Sequence, residues 1–144
     1  MLLYATPEDL TPDWMPAAPT NAASLIRSAS RLVRRATLTA YYATDAAGAP
    51  TAVTVVQAMR DATCAQVASW VEADISPLAG AAKASSAPVA SKSLGSASVS
   101  YDTSAAASVT AMAARAAAAT SLCQEAGMIL AEAGLIGTRP EAAR

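Results

Sequence analysis

Residues 50–74 read PTAVTVVQAMRDATCAQVASWVEAD, and their larger apolar side chains recur at helical rather than strand spacing. Projected at about 100° per residue, Val53, Val56, Met59, Thr63, Cys64, Val67, Trp70 and Val71 share one side, while Thr54, Gln57, Asp61, Ala65, Ala68 and Glu72 take the other. The segment is therefore expected to be a long amphipathic helix. Arg60 falls inside the apolar arc. Buried unpaired, a guanidinium costs several kcal/mol, so this pattern calls for an anionic partner or a subunit boundary at Arg60.

Upstream, residues 21–42 carry a second helical pattern. Leu25, Ile26, Ala29, Leu32, Val33, Ala36 and Ala40 form one stripe, and Arg27, Arg31, Arg34 and Arg35 gather opposite it. No acidic residue lies between Asp13 and Asp45. Such a run is either a solvated helix face or a surface that meets acidic groups, on a neighbouring subunit or on DNA phosphates. Residues 44–51, TDAAGAPT, form a turn by their Asp, Gly and Pro content, so the two helices are expected to pack antiparallel as a hairpin. The facing helix then offers Arg60 no carboxylate. Its partner within the chain would have to be Glu8, Asp9, Asp13 or the C-terminal helix. Thr6-Pro7-Glu8-Asp9 opens a short first helix, with a capping threonine, proline at the first helical position and an acid three residues after the cap. Trp14 and Met15 are expected to fold back as an apolar plug.

Downstream, residues 75–92 shift to Pro, Ala, Gly and Ser and cannot bury enough apolar surface to fix themselves. Residues 96–101, SASVSY, alternate at period two like a half-buried strand that includes Val99 and Tyr101. That strand would hairpin around Gly95 or add to the edge of another chain. One last helix is expected over residues 104–133, with Gly134 and Leu135 as its C-cap and hydrophobic contact, followed by a polar tail from 137. The expected fold is one mainly α domain over residues 1–144, a small bundle of about four helices with a long loop and a short strand or hairpin. Its parts are the N-terminal helices (1–74), the loop and strand (75–103), the C-terminal helix (104–136) and the tail (137–144).

Composition bounds the function. Forty of the 144 residues are alanine and Phe is absent. Larger apolar residues make up only about a quarter of the chain, so a monomer has a thin core and neighbours are expected to supply part of its stability. The net charge of −1 argues against an all-over nucleic-acid binder. With no histidine, and with Cys64 and Cys123 far apart, a metal site has almost no ligands to draw on, and a nucleophile lacks its commonest base. Phosphate-loop motifs are missing as well. The chain is thus read as a non-enzyme without cofactor or metal. It contains no membrane-length apolar run and no secretory leader pattern, and is read as soluble and unexported.

The N-terminal YATPEDL, the helix segment SASRLVRRAT, the turn DAAGAPT, and MRDATCAQVASW followed by SLGSASVSYD occur in that order over residues 4–102. In this order they resemble the head-to-tail adaptor, or connector, proteins of tailed bacteriophages, of the type found in phages of actinobacteria. The resemblance implies a structural virion protein with no catalytic site, made in the host cytoplasm and placed in the neck at the head-tail interface. It implies a homo-oligomeric ring of twelve copies beneath the portal protein, a platform for stopper or tail terminator proteins, and genomic DNA passing through the lumen without sequence-specific binding. Its candidate assembly residues here are Arg60, Arg27, Arg31, Arg34, Arg35, Val99 and Tyr101. The rival reading is a stand-alone helical adaptor or regulatory protein that binds an acidic protein or nucleic acid through its Arg-rich helix. A third is an alanine-rich domain that dimerises through its last helix.

Overall fold

The computed structural model describes residues 1–79 and 104–137, and over these the protein is small and mainly helical. A single 3-10 turn spans Pro7–Leu10, α1 spans Ala22–Ala36, α2 spans Val53–Glu72, a second 3-10 turn spans Pro77–Ala79, α3 spans Ser104–Thr120 and α4 spans Gln124–Glu132. The expected strand or hairpin around residues 96–101 lies outside the described residues, as does the tail from residue 138.

Helix α2 is the centre of the molecule. The early residues of α1 (Ala22, Leu25, Ile26, Ala29) pack with the late residues of α2 (Cys64, Val67, Trp70), while Val33 near the end of α1 packs with Ala58, Met59 and Ala62 near the start of α2. That pairing is antiparallel, as the turn between the helices required. Ala126 and Leu130 of α4 close the second cluster. Leu10 and Met15, held by the N-terminal turn, close the first, with half-buried Trp14 touching both.

Because neighbours cover α2 on several sides, six consecutive residues, Ala62 to Val67, are all buried. This departs from the two-faced helix read from periodicity. Ala65 and Gln66 are inside, whereas Val53, Val56 and Val71, assigned to the apolar arc, are 79%, 40% and 42% exposed. A moment-based reading assumes one buried face, and a central helix has more than one. The small side chains of Ala58, Ala62 and Ala65 let the neighbours approach.

Local chemistry sets the ends of these elements. Asp9 Oδ2 accepts hydrogen bonds from the Thr6 amide (2.7 Å) and the Thr6 hydroxyl (2.9 Å), tying the first turn to its entry residue. Helix α1 stops at Ala36, short of the expected Tyr42. There the buried Thr37 hydroxyl donates back to the Val33 carbonyl at 3.0 Å, the kind of local bond that competes with helix continuation. In the turn, Asp45 Oδ1 accepts from the amides of Ala47 and Ala49, Gly48 adopts φ +82°, and Thr44 bridges to Pro50. Helix α2 ends with Asp74 at φ +50°, the Asp74 amide donating to Val71 and the Ile75 amide to Trp70. Helix α4 ends in the same way: Gly134 at φ +71° donates to Ala131, and the buried Leu135 donates to Leu130. Both are Schellman caps, and the second follows the expectation for Gly134 and Leu135.

The C-terminal helix is not continuous. It breaks at residues 121–123 into α3 and α4. Thr120 and Ser121 turn their hydroxyls back onto carbonyls of α3, with Ser121 Oγ 2.7 Å from the Ala117 oxygen. Cys123 caps α4, its sulfur accepting from the Ala126 amide at 3.5 Å.

Candidate functional site

Two side chains of α2, one turn apart, read that break. Gln66 is 1% exposed, and its Oε1 accepts from the Cys123 amide at 2.7 Å. Trp70 is likewise 1% exposed, and its indole Nε1 donates to the Ala118 carbonyl at 2.8 Å. A continuous helix would use the Cys123 amide itself. The buried amide oxygen of Gln66 therefore stabilises the interrupted form, and the polar group avoids the cost of burial without a partner. Nothing local in the sequence marks Gln66 for this role, since its partner lies 57 residues away.

The arginines expected to form an assembly face do share a surface. Arg27, Arg31, Arg34 and Arg35 are all exposed along α1, and they make no ion pair with the described residues. Burial raises the Tyr4 phenol above its ordinary value, nearby Tyr42 adds to this and Arg34 opposes it. Arg34 thus lies within electrostatic reach of the N-terminal segment, whose Tyr4 amide donates to Ser30 Oγ at 3.3 Å. Val99 and Tyr101 fall outside the described residues.

Arg60 differs from its expected place. Its side chain is 41% exposed, and its ion pair is with the adjacent Asp61, Nε to Oδ1 at 3.8 Å. It is not a buried charge, because the gap between α2 and the N-terminal turn is an open cleft of about 510 Å³. Glu8, Asp9, Asp13 and Asp61 line that cleft with Trp14 and Arg60. The acids read from sequence as available partners are thus the ones that surround it, at the cleft wall rather than in a tight pair. A second open cleft of about 500 Å³ shares Asp13 and Trp14 and adds Glu72 of α2 and Glu125 of α4. Around the two clefts stand six carboxylates and one guanidinium. Glu72 and Glu125 were not legible as neighbours, being far apart in sequence and joined only when α4 folds back on α2.

Neither cysteine is set up as a nucleophile. Cys64 is buried, its thiol donating toward the Asp9 carbonyl at 3.7 Å. Burial pushes this thiol up to about 12, with Asp9 and Asp61 adding to the shift and Arg60 opposing it, so it stays protonated and inert. Cys123 is spent on the α4 cap. Among the described residues no three His, Cys, Asp or Glu side chains converge as metal ligands, and no helix is long and apolar enough to cross a membrane. The arrangement offers charged and apolar contact surface. No protein family, curated protein or solved structure matches the chain.

Proposed function

We propose that the protein is a structural head-to-tail adaptor of a tailed-phage virion, a ring-forming protomer that docks beneath the portal, extends the DNA channel and presents a platform to stopper or tail components. The ordered resemblance over residues 4–102 motivates this reading. The observation that carries it is the set of large apolar side chains left uncovered on and beside the α1–α2 connection: Leu38 is 72% exposed, Tyr41 103% and Val53 79%. A small chain with a thin core gains more by covering such residues against neighbours than by standing alone. The finer features of the proposal are the twelve-fold ring and a strand at residues 96–101 pairing between subunits.

Electron microscopy of the virion neck, with mass photometry of the purified protein alone and mixed with portal protein, tests this. The expected result is density for the chain as a closed ring beneath the portal and a stable complex in solution. A protein absent from the neck that ignores the portal would end the reading. The exposed arginine row of α1 favours one other function, a stand-alone adaptor that binds an acidic protein or nucleic acid. Salt-sensitive retention on DNA without any portal is its distinguishing result.

A further inference from the structure

Among the described residues, two surfaces each carry charges mostly of one sign. Four exposed arginines stand on α1, at i, i+4, i+7 and i+8, with no acid among the fifteen residues of that helix. Six carboxylates stand around the two adjoining clefts formed by the N-terminal turn, α2 and the start of α4, offset there by Arg60 alone. Among the described residues the one ion pair is that of Arg60 with its chain neighbour. Soluble monomers usually intersperse the two signs over their surfaces. Among the described residues the α1 face has no acid and the clefts have one guanidinium against six carboxylates, so each is rich in what the other is short of.

The clefts also suit a guanidinium in particular. Their carboxylates do not converge on a point, as a metal ion would require. Half-buried Trp14 lines both clefts, and a planar cation can stack on an indole while its N–H groups reach nearby carboxylates. Arginine is the side chain with that combination, and a row of arginines is what α1 displays.

We propose that the arginine row of α1 docks into the acidic clefts beside Trp14 of a second copy of this chain. The contact is heterologous, face to opposite face, so it propagates from copy to copy and closes into a ring where the rotation allows. This inference rests on the reading of the protein as one that packs against itself, but needs neither a portal nor a virion.

A charge-swap experiment tests it. One variant, Arg27→Glu, Arg31→Glu, Arg34→Glu and Arg35→Glu together, replaces all four arginines and makes the α1 face acidic. The other, Glu8→Lys, Asp13→Lys, Glu72→Lys and Glu125→Lys together, leaves only Asp9 and Asp61 as acids and makes the cleft face basic while leaving the Thr6–Asp9 bonds in place. Sedimentation velocity of the full chain is expected to show concentration-dependent association of the wild type at about 50 mM salt, weakened at least about tenfold at about 500 mM by screening. Each variant alone sets like charge against like and is expected to sediment as a monomer. An equimolar mixture restores opposite charges at every contact of an alternating assembly, so association is expected to return to within about tenfold of wild type. Circular dichroism of each variant confirms that helix content is kept. A wild type that stays monomeric at low salt overturns the inference, as do variants that associate undiminished or a mixture of folded variants that remains monomeric. Portal binding without self-association sinks this inference and leaves the adaptor reading standing. Self-association without portal binding does the reverse.

Discussion

Helices α2 and α3 are similar in length, twenty and seventeen residues, and both lean on alanine, yet they stand in opposite surroundings. In α2 the alanines are core residues, because Met59, Val67 and Trp70 lie between them and other elements cover several sides. In α3 residues 109–114 are largely exposed, with Val109 at 63%. Its last turn is what the rest of the molecule holds: Ala119 is buried, Trp70 donates to Ala118, and Arg115 Nη2 donates to the Asp74 carbonyl at 2.8 Å. Alanine thus supports a helix in both places for different reasons. In α3 it supplies intrinsic propensity; in α2 it supplies close approach, and packing supplies the stability.

The largest break in that contrast is Trp70→Ala. It removes the largest fully buried side chain and leaves the Ala118 carbonyl without its donor, so a loss of about 3–5 kcal/mol is expected in urea unfolding. Trp70→Phe, which keeps a ring and loses the N–H, should recover most of this; if it does not, the hydrogen bond rather than the packing dominates.

Next comes Gln66→Met, which keeps the volume and removes the acceptor for the Cys123 amide. About 1–3 kcal/mol should be lost, with faster amide exchange at residues 121–126. Unchanged exchange there would mean that the helix break does not depend on Gln66.

The Cys64 thiol should show itself at alkaline pH. Well below its ordinary value of 9.0 it is protonated in both folded and unfolded chains and contributes no slope. Above that, the unfolded thiol ionises while the folded one holds its proton up to about 12, so the unfolded state binds fewer protons and stability falls by at most about 1.4 kcal/mol per pH unit. Cys64→Ala is expected to flatten that decline. Equal alkaline slopes for the two proteins would place its origin elsewhere.

The smallest effect is expected in α3. Val109→Ser removes an exposed side chain and should stay within about 0.5 kcal/mol of wild type. A loss as large as that for Gln66→Met would show that α3 packs on something the isolated chain already provides.

Much of this architecture was legible. The mainly helical class, the antiparallel α1–α2 pair, the turn at residues 44–51, the Gly134 cap, the inward fold of Met15 and the arginine row of α1 each follow from spacing within one element or from the conformational demands of one turn. The placement of Arg60 and the unity of residues 104–133 were not legible. A helical wheel assigns one apolar face per helix, and α2 exceeds that; it also treats an apolar arc as closed, whereas the arc opens at Arg60 into a cleft.

By itself, then, the amino-acid order determined that the central parts of α1 and α2 are helical, where α4 caps and which face of α1 carries positive charge, because these rest on interactions over one or two turns. Only the tertiary structure brought Gln66 of α2 to the break at residues 121–123, Trp70 to the end of α3, and Glu72 and Glu125 to Asp13 beside Trp14. Those outcomes depend on groups some 50 residues apart meeting across α2, and a contact of that range leaves no periodic mark in either segment that makes it.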